Sequence, residues 1–312
     1  MSVAKKRREP RLNDFLRTKS RSMRELLLTA ERVLDHDVNL LLLGESGSGK
    51  DYLAEAIHAS GKRRTLPMIR IDCASIPADL FESELFGYEK GTFTDAQTRK
   101  LGKLELAGGG SVYFDDISAL ASPLQAKLLR AIQEKRFQRL GGHQTVAFDA
   151  RVMTSSSVEP EALLAGGGLR RDLFYRINVV TLTIPPLRER PEDIQALAIR
   201  FLNRRKKGID AAAMRMLVDH SWPGNVRELR NAIERAVVLE PAEIITPASL
   251  SPLTSDLVEA ASRSQWTLGQ LEERYIREVL QKTRSNYSRA AEILGINRKT
   301  LLEKRRRYGI EL

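Results

Sequence analysis

Apolar residues recur along this chain with two periods, and the alternation between them predicts the elements. Helical spacing over residues 26–34 gives way to an uninterrupted apolar run at 38–43, and the pair repeats as a helix at 52–59 and a run at 68–71. Further runs stand at 111–114, 150–153 and 179–184. The first is followed by helical spacing over 124–134, the second follows the turn signal Gly141-Gly142, and the third is closed by Pro185-Pro186. Short apolar runs alternating with helices predict βαβ units, hence an α/β fold with a mostly parallel sheet and helices on both faces. From Pro191 the spacing is helical without strands, which predicts a separate helical subdomain to residue 250. Residues 251–265 are Ser-rich and weakly periodic and read as a linker, while 266–312 are helical again and end in a basic cluster. Residues 1–22 carry eight Lys and Arg against Glu9 and Asp14, with little pattern, and read as a mobile basic tail.

At 312 residues the chain has room for two or three domains. A composition of 42% hydrophobic and 29% charged residues is that of a globular protein, not of a disordered, collagenous or membrane chain. The formal charge of +11 favours a polyanionic partner, nucleic acid first and an anionic membrane surface second. No apolar run approaches the roughly 18 residues of a membrane span. The basic N-terminus lacks the apolar stretch of a signal peptide, so secretion and membrane insertion are not expected. Cys73 is the one cysteine, which excludes an internal disulfide and fits a reducing cytoplasm; beside an apolar run it reads as a small core residue.

The run at 38–43 leads into Gly44-Glu45-Ser46-Gly47-Ser48-Gly49-Lys50-Asp51 and then a helix. A glycine-rich turn at a helix N-terminus offers free backbone N–H groups and the positive end of the helix dipole to phosphate, with Lys50 placed for the β and γ oxygens of a nucleotide. Asp51 stands where the strict pattern has a metal-reaching hydroxyl. Downstream, Val112-Tyr113-Phe114-Asp115-Asp116 supplies the acidic pair that a P-loop ATPase needs at a strand end, one carboxylate for the metal and one to orient water. ATP and Mg²⁺ are the expected cofactors.

Five segments in order carry a resemblance. They are Gly44 to Asp51, Glu84-Leu85-Phe86-Gly87-Tyr88-Glu89-Lys90-Gly91-Thr92-Phe93-Thr94-Asp95-Ala96, Asp172-Leu173-Phe174-Tyr175-Arg176, Pro185-Pro186-Leu187-Arg188-Glu189-Arg190 and Trp222-Pro223-Gly224-Asn225-Val226-Arg227-Glu228-Leu229. Together they resemble the AAA+ domain of sigma-54-dependent transcriptional activators, the bacterial enhancer-binding proteins, over residues 23–250. The resemblance implies an α/β P-loop part (23–184) with a helical lid (185–250). It further implies a hexameric ring that hydrolyses ATP at subunit interfaces and remodels the closed RNA polymerase complex containing sigma-54. Residue by residue, it makes Gly44, Glu45, Ser46, Gly47, Ser48, Gly49, Lys50 and Asp51 the nucleotide cradle, Asp115 the metal carboxylate and Asp116 the water-polarising acid. It makes Arg170 and Arg176 the arginines that reach the neighbouring subunit's γ-phosphate, and Arg227 the nucleotide-sensing arginine of the lid. Phe93 and Thr94 fall at the family's sigma-54 contact, among small and polar neighbours that predict an exposed Phe93.

Several positions depart from the family pattern. Asp51 and Asp116 stand where it usually has Glu, Ser157 and Asp72 where Asn is usual, and Asp95 in place of a loop-tip glycine. Asp116 withdraws its carboxylate by one C–C bond, about 1.5 Å, and a misplacement on the order of 1 Å can cost about 10²-fold in rate. Nucleotide binding is therefore a firmer expectation than fast hydrolysis.

Near the C-terminus, Leu271, Tyr275, Ile276, Val279 and Leu280 recur at helical spacing and read as the apolar stripe of a dimerising helix. Residues 288–295 read as a short helix ended by Gly295, with Asn297 the N-cap of a second helix running to Tyr308. This is a helix-turn-helix whose second helix would lie in the major groove. From Asn286 onward seven Arg and Lys face three Glu, a net +4. The run 286–301 resembles the Fis-type helix-turn-helix that ends many of the same activators, which implies double-stranded DNA as a partner. The expected contacts are Arg289, Asn297, Arg298, Lys299, Thr300, Lys304 and Arg305.

The leading function is an ATP-dependent activator that assembles from dimer to hexameric ring on DNA and remodels sigma-54 polymerase. The alternative, motivated by Asp116, Ser157 and Asp95, is a DNA-binding regulator whose nucleotide sets only the oligomeric state, with weak ATPase activity and no sigma-54 contact. A remodelling enzyme working away from DNA is disfavoured by the helix-turn-helix. With about 22 residues ahead of the AAA+ part, no receiver or ligand-sensing module is expected there, and control falls to another protein, to expression level or to the tail.

Overall fold

The computed structural model describes residues 11–12, 15, 18–94, 96–203, 205–254, 266–283 and 286–310, in two compact units, Met1–Leu250 and Ser251–Leu312. In the first unit the strands β1 (Leu40–Leu43), β2 (Met68–Asp72), β3 (Ser111–Asp115), β4 (Arg151–Ser156) and β5 (Val180–Thr183) form one parallel sheet in the order β2-β3-β4-β1-β5. All four leucines of β1 are buried. Leu40 and Leu42 share one face with Tyr113 and Met153, and Leu41 and Leu43 share the other with Val112, Phe114 and Val152. A strand covered on both faces needs no polar alternation, which is why it appears in the sequence as an unbroken apolar run. The helices Arg21–Arg32 and Lys50–Ser60 cover the first face; Ala78–Phe86, Ser122–Glu134 and Arg171–Ile177 cover the second. The strand order reverses beside β1, and ligands of such sheets bind at the carboxyl ends near that point. Register aligns those ends, pairing Leu43 with Ser156 and Asp115 with Asp72.

The reading of a mobile tail to residue 22 is corrected for its described residues. Ser20 caps a helix that begins at Arg21, and the described residues before it are anchored. Leu12 is 2% exposed and its N–H donates to Ser60 Oγ at 2.9 Å, while the Phe15 ring lies 5.0 Å from that of Tyr52. Thr18 Oγ1 and the Lys19 N–H donate to Asp193 at 2.6 and 2.8 Å. A few well-placed apolar and hydroxyl groups hold these residues, and a count of charges conceals them. Lys5, Lys6, Arg7 and Arg8 lie outside the described residues.

The lid holds the helices Pro191–Asn203, Ala211–Asp219 and Asn225–Leu239. It is not strand-free: Gly208–Ile209 pairs in parallel with Ile244–Ile245, a ladder too short to leave an apolar run. The turn at Gly141-Gly142 belongs to a hairpin of its own, Arg136–Gln138 with Thr145–Ala147.

The second unit packs the helices Leu268–Lys282, Tyr287–Ile293 and Arg298–Arg307 around Ile276, Val279, Leu280, Ala290, Ala291, Leu301 and Ile310. Ile276, Val279 and Leu280 are therefore its own core, which corrects their reading as a dimerisation stripe: helices this short gain their stability from tertiary packing of an apolar face. Of that stripe, Tyr275 stays 45% exposed. The linker residues 255–265 lie outside the described residues. Among the described residues no helix is long and apolar enough to cross a membrane.

Candidate functional sites

The P-loop is shaped by glycine and by the lid. Gly44, Gly47 and Gly49 all have positive φ, and at Gly47 a Cβ would also stand 2.3 Å from the Gly224 carbonyl oxygen. Only glycine allows the loop and the lid to approach so closely. Asn225, buried with φ 54°, pins the two together: its amide donates to Glu45 Oε2 at 3.0 Å and to the Ser46 carbonyl at 3.1 Å, and accepts from the Leu187 N–H at 2.7 Å. Asn tolerates that backbone region better than most residues, so the Trp222-Pro223-Gly224-Asn225 turn has a physical reason for its last member. Two residues on, Arg227 Nη1 donates to Ser46 Oγ at 2.9 Å. Arg188 grips Glu45 at 2.7 and 2.9 Å and holds its carboxyl below the usual range.

Lys50, first residue of the helix Lys50–Ser60, is 9% exposed and donates to the carbonyls of Gly44 and Glu45 at 2.6 and 3.1 Å. Burial lowers its ammonium below the ordinary value, opposed by the fields of Asp115 and Asp116. Ser48 Oγ is buried without a hydrogen-bond partner among the described residues. A glycine cradle, an orphan hydroxyl and one buried cation fit a nucleotide polyphosphate. Among the described residues no group of three His, Cys, Asp or Glu forms a metal cage. Mg²⁺ on a nucleotide needs only one or two carboxylates besides phosphate and water, and Asp51 and Asp115 both line this cleft.

Asp115 ends β3. Its Oδ1 accepts from Ser155 Oγ at 2.8 Å and Tyr113 OH at 3.2 Å, and its Oδ2 from Arg70 Nη2 at 2.6 Å. Burial works to raise this carboxyl, but the hydrogen bonds from Arg70 and Ser155 outweigh it and hold it below the ordinary range. Asp116 adopts φ 54°, ψ 68°; its N–H donates to Ser155 Oγ at 2.9 Å and its Oδ1 accepts from Ser118 Oγ at 2.5 Å. Ser157 lines the cleft, but the hydroxyl that links the Asp115 carboxylate to the Asp116 backbone N–H is that of Ser155, a residue the motifs did not single out. Asp72 also lines the cleft, with its Oδ1 committed to the N–H groups of Ala74 and Ser75 at 3.1 and 3.2 Å. Burial pushes the Cys73 thiol up to about 12, in keeping with a core residue.

Arg170 and Arg176 are exposed, Arg170 pairing with Asp172 at 2.7 Å, and neither is among the residues that line the cleft. Phe93 is 46% exposed with its ring edge-on to Tyr88 at 4.8 Å, and Thr94 is exposed. The Gly91 N–H donates to the Ala96 carbonyl at 2.8 Å and the Ala96 N–H to the Phe93 carbonyl at 2.9 Å, closing the loop tip. Asp95 lies outside the described residues.

In the second unit Asn286 and Asn297 cap their helices by accepting from the N–H groups of Arg289 and Thr300 at 3.2 and 2.8 Å. The Asn297 side-chain oxygen is thus spent on the helix, while the residue itself is exposed. Arg289, Arg298 and Lys299 are exposed and Thr300 is half-buried. Lys304 and Arg305 are half-buried. Lys304 pairs with Glu272 at 2.6 Å, and Arg305 donates to the Ile310 carbonyl at 3.0 Å and to Tyr287 OH at 2.7 Å. Both share a helix face with buried Leu301, three and four residues away, and so turn toward the unit's own helices. Arg306 and Arg307 are exposed instead.

Comparison with known proteins finds three family matches along the chain. Residues 16–183 match the sigma-54 interaction domain, 188–266 the AAA+ ATPase lid domain and 267–308 the bacterial regulatory proteins of the Fis family. The chain is 40% identical over 311 residues to the regulatory protein AtoC of Escherichia coli, covering 94% of this chain and 68% of that one. It is 41% identical over 309 residues to the alginate biosynthesis transcriptional regulatory protein AlgB of Pseudomonas aeruginosa, covering 96% and 69%. Among solved structures, NtrX from Brucella abortus in complex with ATP superimposes with a TM-score of 0.67 at 34% identity, covering 94% of this chain and 69% of that one. The RuvB mutant of Thermotoga maritima, at 16% identity and TM-score 0.54, covering 94% and 88%, shares the fold alone.

Proposed function

Because the chain belongs to the sigma-54-dependent transcriptional activators, we propose that it works as an ATP-driven ring which holds DNA through residues 266–312 and acts on polymerase through residues 23–250. The observation that carries this is the meeting of Lys50, Asp115, Asp116 and Arg227 in one cleft beneath a lid pinned by Asn225. In this reading Lys50 neutralises the β and γ oxygens, Asp116 orients the attacking water, and Arg227 reports the occupied cleft to the lid. Mg²⁺ held by Asp51 and Asp115 would offset the charge that develops on the transferred phosphoryl group. Arg170 and Arg176, exposed and outside their own cleft, serve the nucleotide of the next subunit in a hexamer. Phe93 and Thr94 form the contact to sigma-54, and Arg289, Arg298, Lys299 and Thr300 the contact to DNA. Work on polymerase locates the protein in the cytoplasm.

ATP turnover by the purified chain, with and without sigma-54 holoenzyme and promoter DNA, tests the proposal. Stimulated turnover with open-complex formation is expected. Tight operator binding with neither turnover nor open complex would favour the second reading, in which nucleotide sets the oligomeric state alone. One observation supports that reading: the shortened acid Asp116 has its carboxylate engaged by Ser118.

A further inference from the structure

Between the two carboxylates of the metal site lies a guanidinium that no motif contains. Arg70 Nη1 stands 3.2 Å from Asp51 Oδ2 and Nη2 stands 2.6 Å from Asp115 Oδ2, so one planar group from β2 bridges the P-loop acid and the acid at the end of β3. We propose that Arg70 is an internal counter-cation of the Asp51 and Asp115 pair, and that it competes with the divalent cation for these two carboxylates, so that the metal enters only as the guanidinium withdraws.

The inference rests on the nucleotide reading above and deepens it. Oδ1 of Asp115 is already taken by Ser155 and Tyr113, which leaves Oδ2 as the oxygen free of the strand-end hydroxyls, and Arg70 occupies it. Lys50 does not substitute for it, since its ammonium donates to the carbonyls of Gly44 and Glu45. A guanidinium and a divalent ion against the same two carboxylates repel one another, and each satisfies the same charge. Departure is open to Arg70 because its side chain is 43% exposed, and the Tyr113 ring, 5.8 Å from its Cζ, flanks it. Burial works against its charge, while the hydrogen bond to Asp115 and the field of Asp51 more than restore it. An Arg70 engaged in about nine molecules of ten lowers the apparent metal affinity about tenfold, because only the remaining tenth is competent to bind.

The test compares the full chain with Arg70→Ala and Arg70→Lys. Mn²⁺ binding without nucleotide is measured by electron paramagnetic resonance, binding of a fluorescent ATP analogue is followed as Mg²⁺ is raised from zero, and thermal melting verifies folding. Arg70→Ala is expected to bind Mn²⁺ about tenfold more tightly and to reach half-maximal nucleotide binding at about tenfold less Mg²⁺. Without metal it should bind nucleotide more weakly than wild type, since two bare carboxylates then face the polyphosphate. Arg70→Lys should fall between, because an ammonium lacks the fork that spans both acids. Coincident Mn²⁺ and Mg²⁺ curves for wild type and folded Arg70→Ala overturn the proposal and leave the nucleotide site standing. If Arg70→Ala does not fold, coincident curves for Arg70→Lys do the same. Failure of all three proteins to bind nucleotide at any Mg²⁺ concentration removes the nucleotide reading, and the proposal with it.

Discussion

The nucleotide cleft and the last helix of the second unit both concentrate charge, and they use it in opposite ways. In the cleft Lys50 rests on two carbonyls, Arg227 on Ser46, Asp115 on Ser155 and Arg70, and Asp116 on Ser118. On the helix Arg298–Arg307 the charges divide by face, with Lys304 and Arg305 bonded inward and Arg298, Lys299, Arg306 and Arg307 exposed. Removing a partner in a desolvated network leaves the other member uncompensated, so the loss exceeds one bond. Exposed cations cost the fold little, and their worth appears only when a polyanion arrives.

The largest effect expected is at Arg170 and Arg176, which belong to neither group in their own chain. Changing either to Ala should lower turnover by about 10³-fold or more, the scale of an arginine finger, while leaving nucleotide affinity nearly intact. Mixing either variant with a Lys50→Ala chain should partly restore turnover. No recovery in verified mixed rings would place both residues outside a shared interface. Lys50→Ala comes next: loss of a charge-assisted contact worth about 1.5–3 kcal/mol weakens binding by about 10- to 150-fold, and unchanged affinity by calorimetry would remove Lys50 from the phosphate site.

Two neighbours on the last helix then sharpen the contrast. Arg298→Ala or Lys299→Ala should erode discrimination between operator and random DNA by about 1–3 kcal/mol, if either makes a bidentate base contact. Arg305→Ala should instead lower the stability of the second unit by about 1 kcal/mol through its lost bonds to Tyr287 and Ile310, read as a lower Tm with the salt dependence of DNA binding unchanged. The smallest effect is the reverse of this. Arg306→Ala should leave Tm alone and flatten the slope of log K against log salt by about 0.9, one phosphate contact. Identical behaviour of the Arg305 and Arg306 variants would erase the division of the helix by face.

Much of this was legible in the residues. The runs that became β1 to β5, the glycine turn before Lys50 and the acids ending β3 are local patterns whose meaning survives without knowing what packs where. Leu301, Lys304 and Arg305 were also legible in principle, since three- and four-residue spacing from an apolar position marks an inward face, but the run of cations around them hid that signal. Arg70, Ser155 and Ser118 were not. A charged residue within an apolar run, a serine in a run of serines and a lone serine in a turn carry no local mark of their partners.

What the sequence determined by itself is the set of parts: a phosphate-binding turn, an acidic strand end, a lid, a helix-turn-helix and the family that combines them, because each depends on spacing within a few residues. What the tertiary structure decided is which side chains those parts meet. The sheet order sets β4 between β1 and β3, so Ser155 links the Asp115 carboxylate to the Asp116 N–H, and β2 beside β3, so Arg70 reaches Asp115. Strand neighbours in a parallel sheet are joined through crossovers of a dozen residues or more, and no local spacing encodes a contact made across such a distance.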